Sequence, residues 1–294
     1  MIWKKLLTFC AVGMAAFLAE NARELRTFIV TRYTISPPKL KGLKKDRTIV
    51  FLSDLHNREY GVKNDELLKA IRKEQPDLIL VGGDMLVGKA DVSWQPAADF
   101  MVQLPEIAPV YCANGNHEQR MKERPDIYQT AYRRYQKELM EAGIRFLEND
   151  SVFMNWDDCR IQLSGLEIPS IYYEKFARGK LEKEAVVKKL GNPEPSTYQI
   201  LLAHNPVFFD AYREWGADLV LSGHLHGGII RIPGWRGLIT PQAGLFPKYS
   251  GELTEKNGSY IAVSKGMGTH TVNIRFCNPA ELVVLKLRGT ADTR

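Results

Sequence analysis

Thr48-Ile49-Val50-Phe51-Leu52-Ser53-Asp54-Leu55-His56 is the stretch on which the reading of this chain turns. Its first five residues are β-branched or apolar, which is the length and composition of a buried strand, and they stop at Ser53 among side chains that can hold a metal. Asp54 and His56 are two apart, so in an extended chain both leave on one face and can reach one ion. A strand-ending turn also favours Asp. One Asp-x-His therefore decides nothing unless the pattern recurs.

It recurs at four more strand-like runs. Leu78–Val81 leads into Gly82, Gly83 and Asp84, and residues 110–113 lead into Asn114-Gly115-Asn116-His117-Glu118. Tyr198–Ala203 runs directly into His204, and residues 218–221 run into Ser222-Gly223-His224-Leu225-His226. Five of the six histidines stand at such ends. Each can be read singly as a turn or a capped core residue. Between these runs lie helix-like segments: one capped by Asn64 with Leu67, Leu68 and Ile71 on one face, and others at 97–104, 128–142 and 182–190. Short strands are expected at 145–147, 152–154, 160–163, 228–232, 259–264, 271–276 and 281–287. The alternation predicts an α/β fold, in which the carboxyl ends of the strands line the ligand crevice and bring distant residues together.

The side chains gathered this way are imidazoles, carboxylates and an amide. Such a set suits Mn²⁺, Fe²⁺ or Zn²⁺ better than a soft ion. Cys10, Cys112, Cys159 and Cys277 are far apart with no CxxC pair, which argues against a zinc knuckle or a disulfide framework. Neither a Gly-x-Ser-x-Gly elbow nor a Walker-type glycine loop is present, which is consistent with a metal-activated water in place of a protein nucleophile.

In order and approximate spacing the five blocks resemble the calcineurin-like metallophosphoesterases, over about residues 48 to 288. The resemblance implies a four-layer αββα sandwich of two mixed β-sheets flanked by helices. It implies that Asp54, His56 and His226 bind one divalent metal ion, that Asn116, His204 and His224 bind a second, and that Asp84 bridges them. His117 would be the catalytic acid and a phosphate contact. Further on, Gly244-Leu-Phe-Pro-Lys-Tyr249, Gly266-Met-Gly268 and Ile274-Arg-Phe-Cys-Asn-Pro-Ala-Glu281 resemble a membrane-associated bacterial branch, whose members are often described as UDP-2,3-diacylglucosamine pyrophosphatase-like. Lys248 and Arg275 are candidate phosphate contacts, and His270 is a candidate neighbour of the site. Ile168, Ile171, Tyr172, Tyr173, Leu245, Phe246 and Tyr249 are candidates for an apolar rim, or equally for core.

The chain has 294 residues and a formal charge of +6, with 45% hydrophobic residues, an ordinary globular composition. Its basic residues crowd toward the amino terminus and form no stripe with aromatics, which favours a membrane surface over nucleic acid. Lys4 and Lys5 precede an uncharged run of 14 residues from Leu6 to Ala19, shorter than the roughly 20 that span a bilayer. Arg23, Arg26, Arg32, Lys39, Lys41, Lys44 and Lys45 follow. Residues 1–36 are thus expected to be an anchor or signal-like segment with a basic linker, and 44–290 the catalytic domain. The charge distribution predicts membrane association on the cytoplasmic face, with export left open. The expected substrate is a phosphodiester or pyrophosphate, lipid-linked if the second resemblance holds. Two rivals are a phosphodiesterase acting on soluble nucleotides and a metal-free scaffold.

Overall fold

The protein is described from a computed structural model covering residues 2–174, 179–228, 230–231, 237–239, 247–269 and 273–289. Helix α1 (Ile2–Glu24) leads into strand β1 (Phe28–Ile35), then β2 (Arg47–Leu52), α2 (Asp65–Lys73), β3 (Leu78–Val81), α3 (Gln95–Met101) and β4 (Val110–Cys112). Helices α4 (Asn116–Glu123), α5 (Pro125–Tyr128) and α6 (Ala131–Glu141) precede β5 (Arg145–Phe146), β6 (Asp150–Trp156) and β7 (Cys159–Leu166). Next come α7 (Lys183–Leu190), β8 (Tyr198–Ala203), α8 (Phe209–Trp215), β9 (Leu219–Ser222) and the short ribbon of β10 (Ile230–Arg231) and β11 (Gly237–Ile239). Strands β12 (Leu253–Lys256), β13 (Ser259–Val263) and β14 (Ala280–Leu287) complete the set.

Two six-stranded mixed sheets result, in the orders β1-β14-β2-β3-β4-β5 and β12-β13-β9-β8-β7-β6. The period of two along a strand builds the layers. In β2, Ile49 and Phe51 point into the core between the sheets, whereas Val50 and Leu52 point to the core shared with α2, α3 and α6. Likewise Ile200 and Leu202 of β8 face the first sheet, and Leu201 and Ala203 pack with α7 and α8. Both faces of these strands are covered, which is why they read as unbroken apolar runs. The outcome is the expected sandwich of two mixed sheets with helices outside.

Three segments differ from expectation. Residues 28–35, assigned to linker, form β1 and pair in parallel with β14 over their whole length. Arg32 hid the strand: it faces outward and pairs with Glu74, while Phe28 and Val30 pack on one core and Tyr33 and Ile35 on the other. α1 extends well beyond the apolar run in both directions. Residues 273–275, expected to be strand, are irregular, and their polar groups go to Asn21 of α1 and to the loop at Lys265 instead.

Candidate metal centre

The loops leaving β2, β3, β4, β8 and β9 meet at one edge of the sandwich. The first two run side by side, with Asp54 N donating to Gly83 O at 3.0 Å and His56 N to Asp84 O at 3.1 Å. Asp54 and His56 are not extended, as the spacing argument assumed. Their φ angles are +55° and +48°, and those of Asp84, His224 and His226 are +53°, +71° and +51°. A left-handed conformation costs a residue other than glycine about 1–3 kcal/mol and persists only where the surroundings over-determine it. Five such residues in one place mark a site whose side-chain positions are held against backbone preference.

Glycines let these loops touch. A Cβ on Gly115 would strike the Asp84 carboxylate, and one on Gly223 would strike the Asp54 carboxylate and Ser53 Oγ. Asp54 accepts His224 N at 3.0 Å and Ser53 Oγ at 2.7 Å, and Asp84 Oδ1 accepts His117 N at 2.8 Å. Glu118, buried in the first turn of α4, accepts Asp84 N at 2.8 Å and Gly115 N at 3.1 Å with one oxygen, and Met85 N at 2.8 Å with the other. It ties the β3 and β4 loops together. The Gly115-x-x-Glu118 spacing, an acid three residues into a helix behind its cap, was the sequence signal for this role.

Ligand-type atoms form three overlapping groups, each within 4.8 Å: Asp54 with His56 and His226, His56 with Asp84 and His117, and Asp84 with His204 and His224. His204 Nε2 lies 3.1 Å from Asp84 Oδ2, and His226 Nε2 lies 3.4 Å from Asp54 Oδ1 and 3.2 Å from His56 Nε2. The opposite ring nitrogens face carbonyls: His204 Nδ1 donates to Gly82 O at 2.7 Å, and His226 Nδ1 faces Gly268 O at 3.2 Å. Those carbonyls keep a ring proton on Nδ1 and turn Nε2 toward the carboxylates, where it can coordinate once it is deprotonated. Groups opposed at such distances must share a proton or a cation between them. The amide oxygen of Asn116, buried, has no hydrogen-bond partner. These residues therefore fit a divalent metal ion by donor type and by orientation.

Electrostatics point the same way. Burial pushes the Asp54 carboxyl up to about 6, with His204 opposing and Asp84 adding to the rise. Burial also disfavours charge on Asp84, but His204 and His117 outweigh it and hold this carboxyl well below its usual range. For His204 burial resists the charged ring, yet Asp84 and Asp54 push its pKa up to about 10. Burial, followed by the charge of Asp84, lifts Glu118 to about 7 against the pull of its N–H donors. Three buried carboxylates in one pocket demand positive charge.

All eight expected residues, Asp54, His56, Asp84, Asn116, His117, His204, His224 and His226, are in this pocket or its wall, and all are buried. Of the rim candidates, Tyr173 packs its ring against His224 at 5.0 Å and Ile171 is exposed. Ile168 and Tyr249 are core. Leu245, Phe246 and His270 lie outside the described residues. Arg275 is no phosphate contact: it is buried and donates to the carbonyls of Lys265, Gly266, Gly268 and Asn278. Lys248 is 3.9 Å from Asp210 and stands over the Tyr249 ring.

The sequence model of the calcineurin-like phosphoesterases matches residues 47–228, and the chain belongs to that family. It is a metallophosphoesterase, a hydrolase of phosphoric esters. It is similar over its length to two proteins of Bacillus subtilis (strain 168). One is YpbG, at 27% identity with 96% of this chain and 95% of that one covered. The other is the metallophosphoesterase YkuE, at 27% identity with 95% and 90% covered. The phosphodiesterase YaeI of Escherichia coli (strain K12) is 29% identical over 63% of this chain and 62% of its own.

Proposed function

We propose that this protein is a phosphodiesterase or pyrophosphatase working with two divalent metal ions, Mn²⁺ before Fe²⁺ or Zn²⁺. Asp54, His56 and His226 would hold one ion and Asn116, His204 and His224 the other, with Asp84 between. The observation that carries this reading is the pair of imidazole Nε2 atoms, on His204 and His226, turned by backbone carbonyls toward buried carboxylates. When bound, such a pair of ions lowers the pKa of a water nucleophile and offsets charge on the phosphoryl oxygens. The chain's own part is to orient the ester and to exclude water from all but one side.

His117 contributes by donation. Its Nδ1 accepts Gly88 N–H at 2.8 Å, so the ring proton is on Nε2, 4.0 Å from Asp84 Oδ2 and facing the pocket. That proton is well directed for a phosphoryl oxygen. Full proton transfer to a leaving group would require a second ring proton at Nδ1, which the Gly88 N–H displaces. Of the two roles expected for His117, phosphate contact is therefore the better supported.

For the substrate we favour an amphipathic phosphate ester such as a lipid-linked UDP-2,3-diacylglucosamine. A cavity of about 350 Å³ beside Tyr172 is lined by Leu166, Ile168, Leu181 and Val186, with Lys188 and Lys189 among its walls. Ile171 and Val207 add exposed apolar surface on segments adjoining Tyr173 and His204. The apolar helix α1 is long enough to be a membrane anchor or signal by length and composition. Turnover of a chromogenic phosphodiester with Mn²⁺, abolished by chelator, separates an enzyme from a scaffold. Soluble nucleotides compared with lipid pyrophosphates then separate the two enzymatic readings, and preference for nucleotides would overturn the lipid one.

A further inference from the structure

The carboxyl-terminal turns of α1 are bonded to the loop that supports His226, although the bonded residues are 254 apart in sequence. Glu24 Oε2 accepts Asn278 N at 3.0 Å, and Asn278 Nδ2 donates to His226 O at 2.7 Å and to Gly228 O. Asn21 Oδ1 accepts Arg275 N at 2.8 Å, and Arg275 Nη2 donates at 2.6 Å to Gly268 O, the same carbonyl that His226 Nδ1 faces. The Phe17 and Phe276 rings pack at a tilt with centroids 4.9 Å apart, and Arg58 donates to Leu25 O. Gly268 N in turn donates to Asp54 O at 2.6 Å. Glu24, Arg275 and Asn278 are all buried. Burying charged and amide groups costs stability that hydrogen bonds offset, and here the bonds of Glu24, Arg275 and the Asn278 N–H groups converge on one metal-type ligand.

We propose that Asn21 and Glu24 are positioning residues of the metal centre, so that α1 is a structural part of one half of that centre. Both chains of hydrogen bonds end on the His226 side, at the Asp54–His56–His226 group. None of these bonds runs to His204 or His224. The orientation of His226 thus depends directly on how α1 is seated, whereas His224 is reached only at one remove, through Asp54. A shift of α1 would reach the centre through Asn278 and Gly268.

This inference rests on the reading that Asp54, His56 and His226 hold an ion. Its test is Mn²⁺ titration of the metal-free full-length chain in detergent, followed by calorimetry and by the Mn²⁺ spin-resonance signal. The double variant Asn21→Ala/Glu24→Ala should weaken one of the two ions about tenfold, as loss of outer support for a ligand does, and leave the other unchanged. Glu24→Gln, which keeps an acceptor for Asn278 N, should restore the affinity when Asn21 is intact. Val152→Ala, a core truncation in β6, is the control for lost stability and should leave both affinities as they were. Wild-type affinity for both ions in the double variant would overturn the proposal alone. Equal weakening of both ions would overturn it too, by reducing the role to general stability. A wild-type chain that binds no divalent ion would instead overturn the metal reading beneath it.

Discussion

His117 shows how one backbone bond can choose between two chemical roles. Because Gly88 N–H occupies Nδ1, the ring offers a proton at Nε2 without gaining a second. His117→Ala should lower kcat by about 10²- to 10³-fold, the range for loss of one preorganised donor, with bound metal intact. The loss should be the same for esters with good and poor leaving groups. A loss that grows as the leaving group worsens would return His117 to the role of acid. Asp84 differs in kind, since it lies between the ligand groups. Asp84→Asn should therefore lose bound metal as well as rate, measured by elemental analysis of the purified protein.

The same residues set the response to pH. In the metal-free protein His204 has its pKa raised from 6.5 to about 10. A raised base stabilises the fold fully below the unfolded value and loses that contribution as pH rises through the folded one. Metal-free protein should thus lose stability between about pH 6.5 and 10. Metal uptake must displace the His204 proton, so affinity should rise over the same window. Thermal melts with and without Mn²⁺ should diverge as pH increases, and parallel curves would contradict the assignment of His204.

At the level of elements, the centre is made by loops that approach more closely than side chains allow. Gly223, after β9, is in contact range of Asp54 from the β2 loop, and Gly115 does the same for Asp84. Gly223→Ala should push the β9 loop off Asp54, lowering metal affinity and Tm together, both readable in one calorimetric series. β1 carries a second lesson. Its β-branched and aromatic residues were present in the sequence but interrupted by Arg32, and only its pairing with β14 distinguishes it from linker. A truncation through Ile35 would strip an edge strand from the first sheet along with any membrane segment.

For the whole molecule, α1 has two parts. Its first turns expose Trp3, Leu7 and Phe9, while Phe17, Asn21 and Glu24 dock on the body. The undocked residues 2–16 would extend about 22 Å at 1.5 Å per residue, less than the roughly 30 Å hydrocarbon core. Deleting only these residues should release the protein from lipid vesicles and leave turnover of a soluble phosphodiester unchanged. Persistent vesicle binding would place the membrane contact elsewhere.

The amino-acid sequence by itself determined the residue types at the strand ends, the apolar runs before them and the family to which those blocks belong. Apolar periodicity and strand-end chemistry are local properties, so Asp54, Asp84, Asn116, His117, His204, His224 and His226 were legible without coordinates. Which nitrogen of each imidazole faces inward was not, because Gly82 O, Gly88 N and Gly268 O come from other loops. Nor was the link from Glu24 and Asn21 to His226, since Arg275 and Asn278 approach them only when β14 closes the sheet beside β1. Hydrogen bonds between segments distant in the chain exist only after folding, and in this protein they decide how the imidazoles are aimed.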